Sequence, residues 1–478
     1  MSRLIVLSNR VSLPDPSNNS AGGLAVAVQD ALHDIGGIWL GWNGQQIDNH
    51  KSVKFEHIQQ DNIEFITCPL QQSQYQQYYC GFANNTLWPA MHERADLIEF
   101  KSEEYASYQQ VNQFFAEKLY EIAQPDDLIW VHDYHFFSIA HYCRKLGMRN
   151  RIGFFLHIPF ASASIWEKLP EARTLLQDLT QYDVLGLQTQ LDQQKCMQLC
   201  QNSLKFSRVQ DDLLIQPDQQ TRIKCYPIGI NPEVIQQAAQ RQNQTMKSIF
   251  DFEDNPLYKT IIGVDRIDYS KGLLERFGAF ECFLQQHPEY HQHIVDLQVA
   301  GPSRMDITTY QDFYLSFMDK IKQINQDYAT ADWTPINCTQ DVVEHDELMQ
   351  IYQYADICWV SSLKDGMNLV AKEYIAAQDP DNPGVLILSK YAGAAEQMTE
   401  AVLVDPNNEK QMVKSLETAL FMSKEERIER YQQLMLGIEQ FDINDWRNAF
   451  LHDLQQPIDE PIYMHKAGIS SRASTFKV

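Results

Sequence analysis

The sequence predicts an α/β protein of two doubly wound domains in series, each a mostly parallel sheet covered by helices. Three observations carry this. Short apolar runs of strand length alternate with stretches of helical spacing. The alternation runs from Arg3 to Ile230, gives way to a polar, Gln-rich stretch reaching about Asn255, and begins again at Lys259. And 478 residues exceed what one ordinary hydrophobic core holds. No sequence repeat relates the halves. The expected organisation is a first domain over 1–235, a second over 236–440, a terminal helix within 441–457 and a loosely ordered tail, 458–478.

In the first half, RLIVLS (Arg3 to Ser8) reads as a buried opening strand with Asn9 and Arg10 at its C-terminal end. A Pro-, Asn- and Ser-rich loop leads to AGGLAVAVQDALHDIGG, where Gly22 and Gly23 precede helical spacing and Gly36–Gly37 end it. Such a glycine pair lets a phosphate approach backbone N–H groups, but the GxGxxG of a dinucleotide site is missing. Ile38 to Trp42 is the next strand, followed by polar sequence through Gln60 with room for a hairpin. Trp88–Pro89 reads as a fixed loop and Glu103 to Ile122 as an amphipathic helix. DLIWVHDYH and RIGFFLHIPF are two further strands that end in His132, Asp133 and His135, and in His157. A histidine after an apolar run is ordinarily a packed one. Two successive strands ending in polar chemistry argue for a site, because open α/β sheets bind ligands beyond the carboxyl ends of their strands. His132 and His135 lack a third nearby ligand, which argues against a metal. DVLGLQT, a helix from about Leu191, a strand pair around Leu213 and Ile223, and YPIGI complete the half.

In the second half, KTIIGVDRIDYSKGL is a strand ending at Arg266, with Asp268, Lys271 and Gly272 at the next helix entry. QVAGPSRMD is a strand followed by a Gly–Pro turn carrying Arg304. TPINCTQ, DICWVSS, GVLILSK and AVLVDP supply further strands. Phe441 to Leu454 has the spacing of a final helix. The most informative stretch is KDGMNLVAKEYIAAQ, Lys364 to Gln378: a tight turn at Asp365–Gly366 and then helical spacing. Free N–H groups and the helix dipole make such a junction an anion site, although a solvated helix face reads similarly. Arg10, Arg266, Lys271, Arg304 and Lys372 all stand at strand ends or helix starts. That placement suits two phosphate-bearing ligands meeting in a cleft, with Arg for bidentate contacts and Lys as a point charge.

Composition narrows the class. Hydrophobic content of 44% and charged content of 21% are those of a globular chain. No apolar run approaches the roughly 20 residues of a membrane span. Nine dispersed cysteines without a CxxC pair suit reduced thiols and a cytoplasmic location. A net charge of −24 argues against nucleic acid or an anionic membrane as partner. It does not exclude a phosphorylated substrate, since screening over about 8 Å lets a local cationic cluster dominate.

SNRV…AGGL, LWPAMH, WVHDYH, GFFLHIPF, YPIGI, VDRIDYSKGL, VAGPSRMD, DGMNLVAKEY and GAAEQM occur in that order, from residue 8 to residue 398. Together they resemble the trehalose-phosphate synthase family, retaining glycosyltransferases that join a nucleotide-activated glucose to glucose 6-phosphate. The resemblance implies a GT-B fold: two Rossmann-like domains facing a deep cleft, the last helix returning to the first domain. It implies UDP-glucose and glucose 6-phosphate as partners, no cofactor and no metal, a homo-oligomer (dimer or tetramer), and a role in osmotic or desiccation stress. Asp379–Asp381, a DPD triplet, lies in a Pro-rich connection and does not read as a metal pair.

Residue by residue, the resemblance puts Arg10, Tyr79, Asp133 and Arg304 on the acceptor, with Arg10 and Arg304 at its phosphate and Asp133 on its hydroxyls. Gly22 and Gly23 match the loop beside the donor diphosphate, and Arg266 and Lys271 the cations on it. Leu369, Val370, Ala371, Lys372 and Glu373 match the donor segment, with Glu373 on the ribose, and Val343 contributes main chain. Asp365 is implied to bond the transferred glucose and His157 to lie beside the reacting carbon, while Trp88 and Ile158 match positions that select the acceptor's anomer. Ala161 and Ser164 depart from the family pattern, which has Pro and an acid there. The alternatives left open are a sibling acting on another phosphorylated acceptor, such as glycerol 3-phosphate, and a non-catalytic regulatory relative.

Overall fold

The computed structural model describes residues 3–13, 35–208, 211–216, 219–241, 249–250 and 258–456, with Val28 and Leu32 in addition. The first half forms a ten-stranded sheet. Its strands are β1 (Leu4–Arg10), β2 (Gly37–Ile47), β3 (Glu56–Gln60), β4 (Ile63–Gln71), β5 (Leu128–His132), β6 (Ile152–Phe155), β7 (Val184–Leu187), β8 (Ser207–Arg208), β9 (Leu213–Gln216) and β10 (Gln219–Cys225). Their order is β3-β4-β2-β1-β5-β6-β7-β10-β9-β8. The strands from β4 to β10 in that order pair in parallel, and antiparallel hairpins finish both edges. The second half gives an all-parallel sheet of six strands: β11 (Lys259–Ile267), β12 (Ile294–Pro302), β13 (Ile336–Thr339), β14 (Ile357–Val360), β15 (Val385–Ser389) and β16 (Val402–Val404), in the order β13-β12-β11-β14-β15-β16. The continuous apolar runs explain this arrangement. Strands covered by helices on both faces need no alternation, and β5, β6, β7, β14 and β15 are buried at every residue.

The strand order reverses at β1/β5 in the first sheet and at β11/β14 in the second, so each sheet opens a crevice at those carboxyl ends. Asp133 follows β5, Arg266 is the penultimate residue of β11, and Asp365 lies just beyond β14. Two chain crossings join the halves and touch each other. The Ile443 N–H bonds the Ile230 carbonyl, and a Cβ on Gly229 would lie 2.3 Å from the Phe441 oxygen, so only glycine fits. The final helix, Ile443–Gln455, packs on the first sheet: Phe450 stacks on Trp130 at 4.8 Å and fills the space left by Gly153 and Gly186. Contacts also close the cleft's flanks. Tyr75 donates to Asp306 at 2.5 Å, and Glu396 accepts from the Gln190 and Leu191 amides at 2.9 and 3.2 Å.

One local reading changes, and one element has no expectation attached to it. Tyr75–Leu87 is a π-helical stretch, whose wide turns leave no 3.6-residue period in the sequence. Trp88–Pro89, read as a fixed loop, opens a short helix, Trp88–Met91, that continues it, with proline tolerated in its first turn. The final helix and the Ser102–Ile122 helix fall within one or two residues of expectation. The tail beyond Gln456 lies outside the described residues.

Candidate active site

Between the two sheets lies a cavity of about 740 Å³ whose wall is drawn from both halves. On the second-domain side, β11 delivers Arg266, and a short turn, Tyr269–Lys271, delivers Lys271. Gly272 makes that turn possible: φ is +64°, and a Cβ would lie 2.0 Å from the Ser361 carbonyl oxygen. Lys271 Nζ donates to Asp365 Oδ2 at 2.5 Å, and Ser362 and Asn368 donate to the same oxygen at 3.1 Å each. Burial works against both charges. The pairing nevertheless holds the Asp365 carboxyl below, and the Lys271 ammonium above, its usual range.

The Leu369–Ala377 helix begins at Asn368, whose φ of 82° is left-handed and whose side chain accepts from the Ala371 N–H at 3.1 Å. That cap leaves the Leu369 and Val370 amides without intrahelical partners at the cavity wall. Glu373, one turn further on, faces the same space, with burial raising its carboxyl. Gly366 brings this segment against the first domain, since a Cβ there would lie 2.0 Å from the His157 carbonyl oxygen.

On the first-domain side, Trp88 meets two cations of the second domain: the guanidinium carbon of Arg304 is 3.8 Å from its ring centre and that of Arg266 is 5.4 Å away. Arg304 is anchored by Asp268 (3.3 Å), by the Tyr134 hydroxyl (3.1 Å) and by Tyr310, on a backbone with φ of 49°. Asp133 also has a positive φ, 74°, and its Oδ1 accepts from the His157 N–H at 3.3 Å. Three left-handed non-glycine residues, Asp133, Arg304 and Asn368, line one cavity, a concentration of strain found at functional sites. Burial pushes the Asp133 carboxyl up to about 6. Tyr79 stacks on His135 at 5.9 Å and borders the cavity, as do His157, Ile158 and Val343.

Three expected site residues lie elsewhere. The Arg10 side chain is exposed and its guanidinium packs over Gly44 of β2, where a Cβ would lie 2.9 Å from it; it does not line the cavity. Ala371 and Lys372 are turned into the protein. At about 100° per residue, the face that carries Leu369, Val370 and Glu373 points Lys372 sideways. Its ammonium bonds the Ile228 carbonyl and Gln397 Oε1, at 2.8 Å each, beside the crossing between the halves. Gly22 and Gly23 lie outside the described residues. His132 and His135 also diverge, the first pairing with His157 and the second stacking on Tyr79. The loop carrying Ala161 and Ser164 is held by Glu93, which accepts from the Ser162 N–H and hydroxyl at 2.7 and 2.8 Å.

Sequence reasoning missed Asp265, Tyr134, Tyr310 and His92. Asp265, buried in β11, lies 3.9 Å from Lys271. His92 stacks on Trp88 at 4.2 Å and donates Nδ1–H to its carbonyl. An acid inside an otherwise apolar strand was the available signal for Asp265. The others are brought in by tertiary packing alone.

Two parallel-sheet domains facing across a cleft, with Arg266, Lys271 and Arg304 of the second opposite Asp133 and His157 of the first, define a transferase of GT-B architecture. Residues 6–456 match glycosyltransferase family 20, and the chain belongs to that family. It is 41% identical over 456 residues to the trehalose-6-phosphate synthase of Sodalis glossinidius, covering 95% of this chain and 96% of that protein. A crystal structure of the α,α-trehalose-phosphate synthase (UDP-forming) of Burkholderia xenovorans in complex with glucose-6-phosphate superposes with a TM-score of 0.90 at 39% identity, over 95% of this chain and 100% of that one. An Escherichia coli structure bound with UDP-2-fluoro glucose gives 0.89 at 39% identity, over 96% and 100%.

Proposed function

We propose that this chain is a retaining glucosyltransferase that moves glucose from UDP-glucose to glucose 6-phosphate, giving α,α-trehalose 6-phosphate and UDP. The observation that carries the reading is one cavity walled by both domains, in which Arg266, Lys271 and Arg304 of the second domain face Trp88, Asp133 and His157 of the first. The donor's diphosphate takes Arg266 and Lys271, together with the Leu369 and Val370 amides, while Glu373 bonds the ribose. The acceptor's phosphate takes Arg304, and Tyr79 and Asp133 hold its sugar. The two sugars then meet at His157 and Asp365, with Trp88 and Ile158 shaping the acceptor's anomeric end.

In the reaction the bond from the glucose anomeric carbon to the diphosphate oxygen breaks, and a bond to the acceptor's anomeric oxygen forms on the same face. The acceptor's proton passes to the leaving phosphate. Lys271 and Arg266 stabilise the negative charge that develops on the diphosphate, and Lys271 is already held in place by Asp365, which limits its reorganisation. Asp365 Oδ2 carries three donors, which suits an oxygen that orients a hydroxyl rather than one that attacks carbon. A cytoplasmic, homo-oligomeric protein completes the reading. Nine free cysteines support the location, and among the described residues no helix is long and apolar enough to cross a membrane.

The test incubates purified protein with UDP-, GDP- or ADP-glucose and with glucose 6-phosphate or glycerol 3-phosphate, with and without chelator. Trehalose 6-phosphate with both anomeric centres α is the expected product. Transfer only to glycerol 3-phosphate, or to neither acceptor, overturns the reading. Light scattering on the same preparation reports the oligomeric state.

A further inference from the structure

Behind the cavity wall two imidazoles share a hydrogen bond. His157, which borders the cavity, places Nε2 3.0 Å from Nδ1 of His132, with the ring planes 29° apart. His132 closes β5 and is fully buried. Trp130, Phe155 and Trp446 enclose it, with ring centres 4.5, 6.5 and 6.4 Å away. Its other nitrogen, Nε2, is buried without a hydrogen-bond partner. Burial pulls both imidazoles below their ordinary range, so at neutral pH each carries a single N–H.

Two arrangements of those protons are possible. If His157 donates through Nε2, His132 must carry its own proton on Nε2, a buried N–H facing aromatic carbon. If His132 donates from Nδ1, its Nε2 becomes a bare acceptor, and the His157 proton moves to Nδ1. An orphaned buried donor is the rarer and costlier defect in proteins, and aromatic faces are weak substitutes for an oxygen acceptor. The enclosure of His132 therefore selects the second arrangement.

We propose that His132 is a positioning residue that fixes His157 as the Nδ1–H tautomer, presenting a neutral hydrogen-bond donor to an oxygen of the transferred sugar. This rests on the reading that His157 borders that sugar. Neutrality matters as much as direction. The anomeric carbon gains positive charge as the leaving group departs, and an imidazolium beside it would oppose that charge. A neutral N–H can hold a sugar oxygen without that repulsion. The side chain behind His157, with no contact to substrate, thus decides what His157 offers.

The direct test is nitrogen NMR of the whole enzyme labelled with ¹³C/¹⁵N-histidine, with the His157 ring assigned by its loss in His157→Gln. The expected result is a proton on Nδ1 and none on Nε2. A proton on Nε2, or an averaged pair, overturns the proposal whatever the kinetics show. The second arm compares His132→Phe, which keeps an aromatic filler but no donor, with His132→Asn, whose amide can replace the Nδ1–H. Loss of one well-placed hydrogen bond predicts a turnover about tenfold lower in the Phe variant, with KM for both substrates nearly unchanged. The Asn variant should stay within about threefold of wild type if its amide restores that bond. Equal rates for Phe, Asn and wild type, or equal losses for Phe and Asn, overturn the positioning role. Full activity in His157→Gln would instead remove His157 from the sugar, a separate failure from that of the tautomer.

Discussion

Arg304 lies against the face of Trp88, its guanidinium carbon 3.8 Å from the ring centre. Asp268, Tyr134 and Tyr310 occupy other edges of the same guanidinium, so its plane is fixed before any ligand arrives. A lysine cannot reproduce a planar fork that both stacks and donates. Arg304→Lys is expected to raise KM for glucose 6-phosphate at least about tenfold, the loss of one stacked, charge-assisted contact. UDP affinity by calorimetry should change less than about twofold, because Lys271 and the helix start remain. An unchanged acceptor KM would take Arg304 off the acceptor phosphate.

Lys271 and Asp365 meet at 2.5 Å, so the cation assigned to the donor is aligned by the residue assigned to the donor's sugar. Lys271→Ala removes a preorganised charge from the leaving group and frees Asp365 to reorient. The expected fall in kcat is about 10²- to 10³-fold, the usual effect of deleting one such group. Steady-state rates at saturating UDP-glucose measure it. A loss smaller than about fivefold would mean that Arg266 and the helix amides stabilise the leaving diphosphate without Lys271.

How much of this was legible in the sequence follows from what each feature depends on. β1, β5, β6, β11 and β14 announced themselves as apolar runs, and the polar residues beyond them followed from the strand-end rule. Asp133, His157, Arg266, Lys271, Arg304, Asp365 and Glu373 accordingly meet in one cavity. Lys372 did not follow, because being at a helix start says nothing about which side of the helix a residue faces. Its ammonium lies against Ile228 instead. Arg10 packs instead over Gly44, where a Cβ would meet its guanidinium at 2.9 Å, and the sequence shows that only as one more glycine. Tyr134, Tyr310 and Asp268 converge on Arg304 from separate segments, and no local pattern encodes that convergence.

Burial pushes the Asp133 carboxyl up to about 6, with the His157 amide and Arg304 pulling the other way. An ionised Asp133 accepts hydrogen bonds from sugar hydroxyls and a protonated one accepts them poorly, so kcat/KM for glucose 6-phosphate should fall as pH drops through about 6. The substrate's phosphate also titrates near 6, which puts two limbs in one window. Asp133→Asn separates them. It should lower activity throughout and leave a shallower acid limb, belonging to the phosphate. An acid limb of unchanged steepness in Asp133→Asn would show that Asp133 does not titrate there.

The Lys372 ammonium is buried between the Ile228 carbonyl and Gln397, with no carboxylate among its hydrogen-bond partners, and burial lowers its pKa from 10.5 to about 7. The sign of the effect on stability follows. From about 7 to 10.5 the unfolded chain holds a proton on this lysine that the folded chain has released. Folding is therefore increasingly favoured as pH rises through that window, by at most about 1.4 kcal/mol per pH unit for one proton, and the contribution is constant below it. Lys372→Met removes the titration. It also leaves the Ile228 carbonyl without its donor, a loss that does not vary with pH. The stability difference between wild type and Lys372→Met, from urea unfolding at pH 7, 8, 9 and 10, should shift steadily in favour of wild type. A difference that stays constant across those four conditions would mean that the lysine remains charged at the crossing between the two halves.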